Sequence, residues 1–419
     1  MNGETANRRG FLTVLGPGLV TGAADDDPSG IATYSQVGAQ FGYAMAWTMP
    51  FAFPLLAAIQ EICARVGAVT GRGIAQNLRA HYSPWLLRGV VVLLLIANMI
   101  NLGADLGAMA AVLALVIPGP LLLYTLGFAV VSTLLEIFVS YDRYARVLKW
   151  ATLSLFAYVG VLMVSHVGWG TAMRGTFIPS FTFDSAHAMA LVAVFGTTIS
   201  PYLFFWQAGQ EVEEQHRRHV KPLHISPRKA GAELRRIRTD TLIGMGFSHF
   251  VALAIILATA ATLHQSGVRD IGSAADAAEA LRPIAGNFAF ALFAIGIIGT
   301  GLLAVPILAG SAAYAVSETM GWTEGLGRKP REAKAFYAVV AVATLGGVAI
   351  NFVAIDPMRA LYWAAVANGL LAPPLMVVLM LMARNPKVMG KLCIPRGLAM
   401  FGWAGTAVMF GVAALFLVG

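Results

Sequence analysis

Charge is what this chain lacks most. Asp, Glu, Lys and Arg make up 12% of its 419 residues, against roughly a quarter in an ordinary soluble domain. Hydrophobic residues make up 58%. Runs such as 90–97, 121–131, 251–261 and 288–310 are more apolar than burial in one core requires. A polytopic membrane protein is expected, and a soluble domain is excluded. Cysteine is nearly absent: Cys63 and Cys393 stand alone, so neither a disulfide framework nor a zinc site is expected. His166, His187, His249 and His264 show no metal-ligand spacing. No phosphate-binding loop and no nucleophile–base motif occurs, so neither ATP drive, an ATPase subunit nor an enzyme is expected.

The charge that is present is unevenly placed. Formal net charge is +8, which in a soluble protein would raise nucleic-acid binding. Here it reads as loop charge facing an anionic leaflet, with no nucleic-acid partner. Eleven apolar segments reach span length, at about 11–41, 44–69, 86–116, 120–141, 145–167, 188–215, 239–263, 285–316, 334–353, 358–384 and 397–418. With the N-terminus in the cytoplasm, every Lys and Arg except Arg174, Arg269, Arg282 and Arg359 falls on the inner side. That asymmetry sets the orientation and leaves the C-terminus outside. The stretch 217–238 reads as the longest charged loop. Arg8-Arg9 resembles a twin-arginine signal but is read as a basic anchor before the first span.

Against this background Asp25-Asp26-Asp27-Pro28-Ser29-Gly30 is conspicuous. An acid inside a membrane helix costs roughly 2.5–3.5 kcal/mol on the insertion scale. Pro28 also removes a backbone donor and clashes with the preceding turn. Carboxylates and freed carbonyls at membrane depth point to a cation. A second interruption, Ser200-Pro201, falls in the sixth segment. Breaks at corresponding positions of two halves are the mark of an inverted-repeat transporter with a midplane site.

The residues around the breaks resemble a known family. Gly16-Pro17-Gly18, Asp27-Pro28, Ala32-Thr33 and Gly38-Ala39-Gln40-Phe41-Gly42-Tyr43 are similar to the first span of the Nramp divalent-metal transporters. Gln60 and Ala64-Arg65-Val66-Gly67-Ala68-Val69-Thr70-Gly71-Arg72 resemble the second span, and Gly196 and Pro201 fit the sixth. The resemblance covers most of the chain and is most specific in the first 72 residues. It implies an all-α membrane protein of LeuT-like (APC-type) fold: a 5+5 inverted repeat with broken helices 1 and 6, plus an eleventh helix. A single transporter domain is expected over 1–419, with repeat one at about 11–167, repeat two at about 188–384 and the extra helix at about 397–418.

The departures from the family pattern carry most of the functional expectation. The family's first-span motif is Asp-Pro-Gly-Asn; here it is Asp27-Pro28-Ser29-Gly30, so Gly30 stands where the family has a ligand asparagine. The sixth-span Met-Pro-His is Ser200-Pro201-Tyr202, and a further histidine is Gln207. In the third span Asp105 remains, with Ala108 in place of a glutamate. Losing the thioether removes the preference for softer metals. Fewer protein ligands leave more water on the ion, which suits Mg²⁺. The pattern resembles the Nramp-related magnesium transporter branch. The expected substrate is Mg²⁺, with Mn²⁺ also accepted; no resident cofactor is expected. With the histidines and the glutamate gone, proton coupling is expected to be weak or absent. The alternative is an ordinary proton-coupled Mn²⁺/Fe²⁺ importer.

Asp27 is the leading metal ligand, with a structural acid bonded to freed backbone donors as the rival reading. Thr197 is expected to offer its carbonyl, and Ser200 its hydroxyl directly or through water. Asp26 and Gly30 complete the binding set; Asp25, Asp105, Tyr202, Gln207 and Glu211 are candidates for the pathway or coupling. Glu211, Glu213 and Glu214 read either as an acidic exit or as a solvated helix end. Asn98, Asn101 and Asn368 read as interhelical glue. The expected partners are the divalent ion and the lipid bilayer, and the expected location is a bacterial inner membrane.

Overall fold

The computed structural model describes residues 16–139, 153–180, 182, 184–352 and 356–418. Among these the protein is all-helical. The first span is two half-helices, α1 (Pro17–Asp25) and α2 (Pro28–Phe41). α3 (Thr48–Thr70), a short α4 (Ile74–His81), α5 (Pro84–Val116) and α6 (Leu121–Phe138) follow. Then come α7 (Phe156–Val164) and α8 (Trp169–Phe177). The sixth span is again split, into α9 (Ser185–Thr198) and α10 (Pro201–Arg217). The remainder is α11 (Ala230–Thr259), α12 (Ala289–Met320), α13 (Lys334–Ile350), α14 (Pro357–Ala383) and α15 (Arg396–Val418).

Both breaks use one local device. Asp27 (ψ 172°) and Ser200 (ψ 132°) are extended, and each is followed by proline at the first position of the new helix. Proline there needs no amide partner and its fixed φ suits the helix, while the residue before it is driven out of the α region. Eight helical segments are long and apolar enough to cross a membrane among the described residues, and α13 is a shorter apolar helix. The first part of the expected fifth span, to residue 152, and the start of the first span lie outside the described residues. One expectation is corrected: the stretch read as a charged loop to residue 238 is already helical from Ala230.

Packing concentrates on the broken helices. α1 lies against α11, α9 against α14, and α5 against α12, α13 and α14. Close approach demands small residues. A methyl group on Gly22 would sit 2.2 Å from the Gly244 carbonyl oxygen, and one on Gly196 would sit 2.1 Å from that of Ala365. The half-helices are thus seated directly on neighbouring backbones. α6 and α15 stand at the rim instead, exposing Leu123, Val130 and Phe138 on one, Met400, Phe410 and Leu417 on the other. Apolar faces of that extent are what lipid chains cover.

Candidate ion site

The three consecutive aspartates are all buried, yet they do not converge. Asp25 and Asp26 share one donor on α11: the Ser248 hydroxyl lies 2.6 Å from Asp25 Oδ2 and 3.2 Å from Asp26 Oδ1. Their other oxygens, Asp25 Oδ1 and Asp26 Oδ2, have no hydrogen-bond partner. Asp27 turns to the sixth span. Tyr202 donates its hydroxyl to Asp27 Oδ2 at 3.1 Å and also lies 3.2 Å from the Ala24 carbonyl oxygen. Asp27 Oδ1 accepts the Gly30 amide at 2.7 Å, capping α2. Asp27 therefore does both things its sequence allowed: it bonds a freed backbone donor and stays at the break. Gly30 supplies that amide, and a methyl group there would meet the Asp25 carbonyl oxygen at 3.2 Å.

A fourth carboxylate comes from α5. Asp105 is fully buried, accepts no side-chain hydrogen bond, and lies against the Ser29 backbone amide at the first break. Ser29 turns away, donating to the Leu361 carbonyl oxygen on α14 at 3.1 Å. The second break contributes no charge. Ser200 donates back along its own helix, 2.7 Å from the Thr197 carbonyl oxygen and 3.0 Å from that of Gly196. The Thr197 carbonyl already receives that hydroxyl, whereas the Thr197 hydroxyl is buried without a partner. Gln207 accepts a hydrogen bond from Thr21 and so ties α10 to α1. No group of three or more His, Cys, Asp or Glu poised to hold a metal is found among the described residues.

Below the breaks, α1 is fastened by residues that were not singled out in the sequence. Asp240 on α11 accepts the amides of Gly18 at 2.8 Å, Gly16 at 2.9 Å and Leu19 at 3.2 Å. A carboxylate at a helix N-terminus satisfies orphan donors and complements the helix dipole. Arg236, one turn earlier on α11, bridges to Glu211 at 2.6 Å and to Glu233 at 2.7 Å. Glu211 is buried and ion-paired with Arg236, so it is not a solvated helix end. Asp240 had a sequence signal, an acid at the edge of an apolar span. Ser248 had none, because serine is ordinary in helix contacts.

Two cavities flank the breaks. One of about 410 Å³ is lined by Gln36, Gln40, Asp270, Arg359, Tyr362 and Trp363. The other, about 580 Å³, is lined by Glu213, Tyr314, Glu318, Glu324 and Arg328 among others. Neither is lined by Asp25, Asp26 or Asp27. Outside the spans, Glu324 lies partly buried near Glu213; burial and that neighbour push its pKa up to about 7, against the pull of Arg328.

Two half-helix pairs, buried acids at one break, and a surrounding bundle of apolar helices define a multi-pass membrane protein of the LeuT-like transporter class. A family model described as "Natural resistance-associated macrophage protein-like" (Nramp) matches residues 18–419. The chain belongs to the Nramp family. It is 25% identical over 424 residues to the divalent metal cation transporter MntH of Burkholderia ambifaria, covering 99% of this chain and 90% of that protein. It is 28% identical over 429 residues to MntH of Klebsiella pneumoniae subsp. pneumoniae, covering 99% and 96%. The manganese transporter of Eremococcus coleocola superposes with a TM-score of 0.77 at 17% identity, over 100% of this chain and 88% of that one. Mhp1 in an inward-facing conformation gives 0.53 at 12% identity, over 96% and 91%. These likenesses establish the fold.

Proposed function

We propose that the protein is a divalent metal cation transporter that carries Mg²⁺ and also Mn²⁺ across a cell membrane, without strong coupling to protons. Relatives named as divalent metal cation transporters support the class. One observation carries the choice of ion: at the paired breaks Asp27 is a buried carboxylate facing Tyr202, with Ser200 rather than a thioether at the second break. Oxygen donors in small number favour a hard ion that keeps part of its water. Asp27, Asp105 and the backbone at Thr197 are the groups proposed to meet the ion, directly or through water. Asp25 and Asp26, clamped by Ser248, add negative potential beside it.

The same geometry bears on coupling. Tyr202 and Gln207 occupy the positions where a titrating imidazole would sit in the family, and both are engaged in hydrogen bonds, with Asp27 and Thr21 respectively. Transport then follows the ion gradient and the membrane potential. The proposed orientation keeps the N-terminus in the cytoplasm, from the distribution of Lys and Arg. Purified protein in liposomes is expected to take up Mg²⁺, with Mn²⁺ competing and no acidification of the lumen. Robust Mn²⁺ flux without Mg²⁺ flux or competition would falsify the magnesium assignment. Lumenal acidification that tracks metal entry would return the protein to the proton-coupled importer class.

A further inference from the structure

α5 carries three buried polar residues on one face, Asn98, Asn101 and Asp105, spaced so that a helix stacks them one turn apart. Asn98 and Asn101 invite the same reading as interhelical glue, but only one of them is used that way. Asn98 donates to Ser311 at 2.7 Å and to the Leu308 carbonyl oxygen at 2.9 Å, joining α5 to α12. Asn101 is fully buried, and neither its oxygen nor its nitrogen has a hydrogen-bond partner. Asp105, the next residue on that face, likewise has no side-chain partner and lies against the Ser29 backbone amide beside Asp27.

A buried amide without partners is expensive, and an apolar side chain of similar shape would remove the cost. Structure alone therefore gives no reason for an asparagine at 101. A carboxamide offers two N–H donors and a carbonyl acceptor. Its acceptor matches the outward-pointing hydrogens of water molecules held by a cation. The adjacent carboxylate supplies the charge to keep such an ion near. We propose that Asn101 and Asp105 form a second station for the transported divalent cation, next to the Asp27 break. There the ion is held through its hydration shell. α5 starts on the proposed cytoplasmic side, so Asn101 extends the station inward from Asp105. The inference rests on the divalent-cation reading above. It deepens that reading by assigning the hydrated ion a path along α5.

The test compares Asn101→Leu, Asn101→Ala and Asn98→Leu with the native protein, using Mg²⁺ and Mn²⁺ alone as probes. Uptake into proteoliposomes and the thermal midpoint of the purified protein are both measured. Asn101→Leu is expected to keep or raise the midpoint while lowering the maximal rate of Mg²⁺ uptake about tenfold, the scale of one lost hydrogen bond to a charged group. Asn98→Leu is expected to lower the midpoint, because it removes both hydrogen bonds that join α5 to α12 at this level. A purely structural Asn101 predicts the reverse for its own variants, a lower midpoint with unchanged uptake per folded molecule. Native-like Mg²⁺ uptake in Asn101→Leu overturns the station. If that variant fails to fold, native-like uptake in Asn101→Ala overturns it equally. A native protein that moves neither ion overturns the divalent-cation reading, and the station with it.

Discussion

The two helix breaks share a backbone design and differ in everything the side chains do. At the first, Asp27 caps its own helix and also receives Tyr202 from the opposite break, while Asp25 and Asp26 are tied to α11 through Ser248. At the second, Ser200 bonds only to carbonyls of the preceding turn, and Thr197 and Thr198 are neutral. The first break is charged and cross-linked to its surroundings; the second is neutral and reaches out only through hydroxyls, from Tyr202 to Asp27 and between Thr198 and Tyr34. Proline and an extended residue suffice to open a helix at membrane depth. The chemistry of an opened helix is decided separately, by what is placed beside the proline. Under the proposed function the division assigns roles: charge at the first break would attract the ion, and the donor type at the second would tune which ion is kept.

Removing the charge tests that division most severely. Asp27→Ala should reduce ion uptake about a hundredfold or more, while loss of its helix cap costs only about 1 kcal/mol of stability. Retained uptake, measured in liposomes with the folded variant, would mean that the first break does not hold the ion. Ser248→Ala comes next. It strips the donor shared by Asp25 and Asp26 and should cost about 2 kcal/mol, as for hydrogen bonds to charged groups. A thermal midpoint unchanged within error would show that the clamp contributes nothing. Ser200→Met sharpens the comparison from the other side. A thioether at the neutral break should shift preference from Mg²⁺ toward Mn²⁺ and Cd²⁺ by about fivefold, near 1 kcal/mol; competition assays across the metals would register it.

The smallest effect lies away from both breaks. The Glu324 pKa is raised to about 7 in the folded protein by burial and by Glu213. A carboxyl raised on folding binds more protons when folded than unfolded. Its contribution therefore favours the folded state at low pH and fades as pH rises from about 4.5 to 7. Glu324→Gln should flatten the pH dependence of the thermal midpoint over that window and leave the ion preference alone. A midpoint that still falls with the native slope would place the responsible group elsewhere.

The architecture was legible because membrane helices announce themselves by length and composition, and because proline at the start of a helix leaves a local mark. Pro28 and Pro201 were therefore located to the residue. Side-chain destinations were not legible in the same way. Three adjacent acids look like one cluster in a sequence, yet rotation along the broken backbone sends Asp25 and Asp26 toward α11 and Asp27 toward α10. Arg236 looked like loop charge because α11 begins with a polar, basic turn before its apolar part. Asn98 and Asn101 could not be told apart without knowing which of them meets α12.

The attachment of α1 has a mechanical consequence. Its first turn is held by Asp240, its middle sits glycine to glycine on α11, and the carboxylates at its far end reach Ser248 on that same helix. A nine-residue rod fixed at three points along one neighbour cannot pivot against it. If α1 moves during the proposed transport cycle, α11 goes with it as one lever two helices wide, and the Thr21–Gln207 and Arg236–Glu211 contacts, which tie that pair to α10, are where such a motion would have to part.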